Sequence, residues 1–207
     1  MFSYRNISAK KRLNDKDFIF FSCIEANTSF IKFAYIGGDQ QFVSTNNAPG
    51  GWKLHIAIDD SIKGNVALAW DQIVGILIEQ RIAESKVLKP GESFTHMNQI
   101  QSGKQITIYQ FFNPNRNWNL IVNQIESRLR NANIVPGRFS LTDKSIVSSQ
   151  YISYRNDLSK DGKYAITAQE AMKHPEDIRY NPFGRSDPFI NISVQSTPES
   201  TSHLGII

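Results

Sequence analysis

Gly51-Trp52-Lys53-Leu54-His55-Ile56-Ala57-Ile58 alternates in polarity with a period of two. Successive side chains of a strand point to opposite sides, so Trp52, Leu54, Ile56 and Ile58 share one face and Lys53, His55 and Ala57 the other. Such a strand lays its apolar side on a core, which predicts an accessible face for Lys53 and His55. Asp59, Asp60 or Ser61 is expected to cap a following helix, in which Ile62, Val66, Trp70, Ile73, Val74 and Leu77 recur at helical spacing.

Outward from this unit, residues 17–24 and 29–36 are rich in β-formers and are separated from it by the turn Gly37-Gly38-Asp39. Lys86-Val87-Leu88 reads as a short extended piece and Lys104–Phe112 as a strand. Pro114 opens a second amphipathic helix with Trp118, Ile121, Val122, Ile125 and Leu129 on its apolar stripe. Tyr151–Arg155 is a further strand, and Thr167 caps a short helix through His174. Strands and helices mix without a regular strand–helix–strand rhythm. The expected fold is therefore α+β: a single domain with a twisted, largely antiparallel sheet and flanking amphipathic helices. Residues 1–16 are expected to form a flexible basic arm, 17–181 the domain, and 182–207 a flexible tail rich in Pro, Gly, Ser and Thr.

The 207 residues carry a net charge of +4, a mild excess that suits an acidic or phosphorylated partner without requiring one. Cys23 is the only cysteine, so neither an intrachain disulfide nor a cysteine metal cluster is available. No apolar run reaches transmembrane length and the N-terminus has no signal-peptide core, so no membrane association is expected. His55, His96, His174 and His203 form no metal-ligand pattern, and no metal or other cofactor is expected. Glycine-rich nucleotide cradles and a GxSxG elbow are absent, and basic residues do not interleave with aromatics as a nucleic-acid binder requires.

Lys53 and His55 stand two apart on one face of a strand, a spacing that fits a solvated polar face as well as a site. Four ordered blocks add to that spacing. Residues 51–58 resemble the G-D-K-F-H-I-S-[IV] stretch of the phosphothreonine lyases of the OspF and SpvC type. Residues 69–77 resemble that family's A-F-Q-x-L-S-G-L-L, and Gly103–Tyr109 its G-A-Q-F-T-L-Y. Tyr151-Ile152-Ser153-Tyr154-Arg155-Asn156-Asp157-Leu158 resembles Y-[VL]-S-Y-R-N-E-L, and Asp161-Gly162 follows where the family has R-D-G. The similarity spans about residues 17–165.

The resemblance implies a reaction. These enzymes eliminate phosphate from phosphothreonine of host MAP kinases and leave an alkene, without water attack or metal. By that resemblance Lys86 is the base, which needs its amine depressed toward about pH 7–8. His55 is the acid for the leaving phosphate, and Lys53 holds the substrate carbonyl. Arg155 grips phosphate through its fork, Tyr109 donates a further hydrogen bond, and Lys160 and Lys104 are further phosphate contacts. The resemblance also implies a monomeric effector, exported by a bacterial secretion system into the cytoplasm or nucleus of a host cell.

Two family positions depart. An arginine ten residues before the tyrosine corresponds to Gln99 here, and a lysine two residues after it corresponds to Phe111. Lys104 or Lys89 is the candidate replacement. These losses leave two readings: a lyase acting on phosphothreonine, or phosphoserine, in an altered setting, and a catalytically weak relative that captures phosphorylated host proteins.

Overall fold

The alternation that opens the sequence reading becomes the strand Trp52–Ile56, deep inside a sheet. The computed structural model describes residues 4, 12–15, 18–24, 29–36, 52–80, 82, 84–94, 102–109, 116–156 and 187–195. In chain order the strands are β1 (Arg12–Asp15), β2 (Phe18–Ile24), β3 (Phe30–Ile36), β4 (Trp52–Ile56), β5 (Glu84–Leu88), β6 (Ile106–Tyr109), β7 (Lys144–Ser145) and β8 (Ile152–Asn156). The helices are α1 (Asn65–Glu79) and α2 (Trp118–Asn131). The strands form one sheet in the order β1-β2-β3-β5-β6-β4-β8-β7. Every pairing is antiparallel, the α+β architecture expected.

Both helices cover the apolar side of the sheet. Phe33 of β3 meets Trp70 of α1 edge-on at 5.7 Å. Trp52 and Tyr154 of the central strands pack with Phe189, which also contacts Trp118 of α2 at 5.4 Å. Ile121, Val122, Ile125 and Leu129 are buried, as their spacing predicts. Phe189 lies within the stretch read as a tail. Tyr4, within the stretch read as an arm, is buried with its hydroxyl donating to the Leu88 carbonyl.

The helix starts differ from expectation. α1 begins at Asn65, behind Gly64 at φ 85°, a left-handed conformation that glycine adopts without a Cβ clash. The expected caps are occupied elsewhere. Asp59 accepts from the Ser61 N–H and hydroxyl, and Asp60 accepts from Phe94 N–H, Ser93 and Gln105. Ile62 consequently lies outside the helix and is 42% exposed. α2 is capped by Asn117, whose side chain accepts from Leu120 N–H at 3.0 Å. Pro114, the Thr167–His174 helix and the Gly37–Asp39 turn lie outside the described residues.

A second difference matters for function. Lys53 is 8% exposed and His55 2%, so the face expected to be accessible is buried. β4 is an interior strand with β6 and β8 on its flanks; from the segment before β7, Asp143 contacts His55 on its polar face and Thr142 contacts Arg155 of the neighbouring β8.

Candidate active site

The register of four adjacent strands assembles the site. Lys86 of β5 pairs with Thr107 of β6, Thr107 pairs with His55 of β4, and His55 pairs with Ser153 of β8. One step along, Tyr109 pairs with Lys53, and Lys53 with Arg155. Direct partners project to the same side of a sheet, so these residues share the face opposite the helices. Strands lie about 4.8 Å apart, which puts the Lys86 and His55 backbones roughly 10 Å from each other. Lys32 of β3, directly opposite Lys86, extends the row.

His55 is held by a residue that spacing could not reveal. Its Nδ1 lies 2.6 Å from Asp143 Oδ2, and Ser153 Oγ donates to the same oxygen at 2.9 Å. An ionised carboxylate only accepts, so Nδ1 carries the proton and Nε2 is left for the site. Burial lowers the His55 pKa to about 4; the Asp143 carboxylate opposes this, while Arg155 and Lys104 reinforce it. Burial alone would raise the Asp143 carboxyl. Its bond to His55 and the nearby Arg155 and Lys104 overcome that and hold it well below the usual carboxylate range. Near neutral pH the pair is a neutral imidazole donating to a carboxylate.

Arg155 Nη1 donates to Thr142 Oγ1 at 2.6 Å and lies 3.8 Å from Asp143 Oδ1, which fixes the guanidinium beside the histidine. The Lys53 ammonium sits 5.0 Å from the centre of the Tyr109 ring, and the Lys86 ammonium 3.9 Å from that of Phe30. Lys104 is buried and acts on both His55 and Asp143 through its charge. Among the described residues, Lys32, Lys53, Lys86, Lys104 and Arg155 gather at or beside this face, against the carboxylates of Asp143 and Glu84. Cationic side chains grouped on one face are a chemistry suited to an anionic ligand.

The residues named from sequence thus fall in two groups. Lys53, His55, Lys86, Tyr109 and Arg155 come together on one face, with Lys104 beside them. Lys160, Gln99 and Phe111 lie outside the described residues. Sequence reasoning missed Asp143, Thr142, Thr107 and Lys32. Alternation along β8 already put Ser153 beside Arg155, whereas Asp143 sits in irregular structure with no periodic signal. A separate cavity of about 440 Å³, lined by Ile58, Asp59, Phe94, Gly103, Gln105 and Arg138, contains none of the candidate side chains. Among the described residues, no three His, Cys, Asp or Glu side chains group as metal ligands.

Comparison with known proteins agrees with this fold. Structures of comparable fold include OspF of Shigella flexneri, a type III effector and phosphothreonine lyase, at 20% identity and a TM-score of 0.53; the match covers 89% of this chain and 87% of that one. They also include the VirA (SpvC) phosphothreonine lyase effector of Chromobacterium violaceum, at 19% identity and TM-score 0.54, covering 74% and 72% of the two chains. The Salmonella plasmid virulence C protein (SpvC) matches at 19% identity and TM-score 0.55, covering 75% and 73%. No curated protein sequence matches significantly. The OspF/SpvC family model matches residues 3–178, most of the chain and all of the strands that carry the cationic face, and the chain belongs to the OspF/SpvC family.

Proposed function

We propose that this protein is a phosphothreonine lyase effector that removes phosphate from phosphothreonine of a host protein by β-elimination. The observation that supports this reading most is the register that lines Lys86, His55, Lys53 and Arg155 along one face of the sheet. Lys86, as its neutral amine, takes the Cα proton of the phosphothreonine. The electrons of that C–H bond form the Cα–Cβ double bond, and the Cβ–O bond breaks. Lys53 stabilises the enolate character that develops on the carbonyl oxygen. Arg155, with Tyr109, Lys104 and Lys160, binds the phosphate. His55 protonates the leaving oxygen, and the products are a dehydrobutyrine residue and inorganic phosphate. The step as written uses no metal.

In the ligand-free site His55 is neutral, so it must gain a proton before it can act. A bound phosphate brings negative charge against Nε2 and reverses the balance set by burial and the two basic neighbours. Substrate binding therefore arms the acid, and Asp143 keeps the ring oriented for it. The substrate is a phosphorylated host protein of the MAP-kinase type, met as a monomer after delivery by a bacterial secretion system. The names of the matched effectors support that delivery.

The test is incubation with phosphothreonine peptides and a doubly phosphorylated MAP kinase, read by mass. A lyase removes the elements of H₃PO₄ and leaves an alkene. Removal of HPO₃, which leaves a hydroxyl, contradicts elimination. Unchanged mass with retained binding supports the capture reading.

A further inference from the structure

Thr107 occupies the centre of the row formed by Lys86, Thr107 and His55, with the proposed base on one side and the proposed acid on the other. It is 1% exposed, and its Oγ1 is buried with no hydrogen-bond partner. A buried hydroxyl that makes no bond gives up its water without compensation, and valine has nearly the same shape and suits a strand equally well. Ser85 also buries an unpartnered hydroxyl, but its strand position puts it on the helix-covered face, away from the cations. Among the described residues, Thr107 is the unpartnered hydroxyl on the site face.

We propose that the Thr107 hydroxyl is a substrate-binding group whose partner arrives with the ligand: it donates to a phosphate oxygen of the phosphothreonine, between Lys86 and His55. This rests on the lyase reading and deepens it. A donor at that point in the row fixes the phosphate ester so that the Cα–H bond faces Lys86 while the Cβ–O bond faces His55. The cations supply charge, and the hydroxyl supplies direction. Its isolation in the free protein lowers stability for the sake of the bound state, as functional groups commonly do.

The experiment compares wild type, Thr107→Val and Thr107→Ser in the full chain. It measures turnover of a phosphothreonine peptide by mass, peptide affinity by calorimetry, and Tm. Valine is expected to lower kcat about 10- to 100-fold, the loss of one hydrogen bond to a charged group, while Tm stays level or rises. Serine is expected to restore most of the activity. Valine activity within about twofold of wild type, or a lower Tm in valine with no rescue by serine, overturns the proposal. The lyase reading fails separately, if wild type binds the peptide without eliminating phosphate. In that event a roughly tenfold weaker affinity in valine upholds the hydroxyl contact, and equal affinity overturns it. Absence of both binding and turnover in wild type overturns both.

Discussion

The two faces of β4 are made by alternate residues of a single stretch and are buried alike, yet they do opposite things. Trp52, Leu54 and Ile56 pack against α1, α2 and the aromatic cluster around Phe189, in a core built mainly of apolar side chains that stabilises the fold. Lys53 and His55, on the other side of the same backbone, share a face with Arg155 and Lys86, and the charges of Arg155 and Lys104 act on the buried His55. Burial by itself therefore does not distinguish core from site. The chemistry of what is buried does, and damage to each face should show in a different measurement.

Substitution on the polar face should cost activity, and on the apolar face stability. His55→Asn and Lys86→Ala are each expected to lower kcat by about 10³- to 10⁴-fold, near the upper end for a lost acid or base, with Tm level or raised. Leu54→Ala should do the reverse: a loss of about 2–5 kcal/mol in unfolding free energy, with near-normal kcat in the folded fraction. Equal loss of activity and stability on both faces would erase the contrast. Asp143→Asn should lower kcat on the order of 100-fold. Removing the carboxylate also removes the influence that raises the His55 pKa, so the alkaline limb of the pH–rate profile, where the general acid loses its proton, should move to lower pH.

Acid sharpens the comparison further. In the fold His55 stays neutral down to about pH 4, whereas in the unfolded chain it takes up a proton near pH 6.5. The unfolded state binds more protons across that window, so stability falls as pH falls from 6.5 to 4. The loss is about 2 kcal/mol between pH 6.5 and 5, read by denaturant melts. Asp143 contributes in the same sense but in a lower window: its stabilisation is complete above the ordinary carboxylate range and is lost only at lower pH, so it does not mask the histidine. His55→Gln should flatten the slope. The smallest expected effect is anion binding, which offsets the crowded cations: phosphate at about ten to a hundred times its Kd should stabilise by about 1.4–2.7 kcal/mol, a few degrees in Tm. Chloride at equal ionic strength should not reproduce it.

Much of this contrast was legible in the sequence, because alternation is local. Trp52–Ile58 showed which residues share a face, and Tyr151–Arg155 did the same for Ser153 and Arg155. Periodicity likewise marked the buried stripe of α2. Register between strands was not legible: nothing local says that Lys86 pairs with Thr107 and Thr107 with His55, or that Lys32 falls beside Lys86. Placing Lys86 with His55 needed the family resemblance. Asp143 was invisible for another reason, since a carboxylate in an irregular segment carries no period. The start of α1 was misread because Asp59 and Asp60, both good capping residues, are committed to turn and loop contacts.

The central claim is that the cationic face drives carbon–oxygen cleavage with proton transfer from carbon. Turnover of a phosphothreonine peptide in heavy-oxygen water tests it most directly. Elimination predicts that the released phosphate keeps all its original oxygens while the peptide gains a double bond. Heavy oxygen in the phosphate, with an intact threonine left behind, would contradict it.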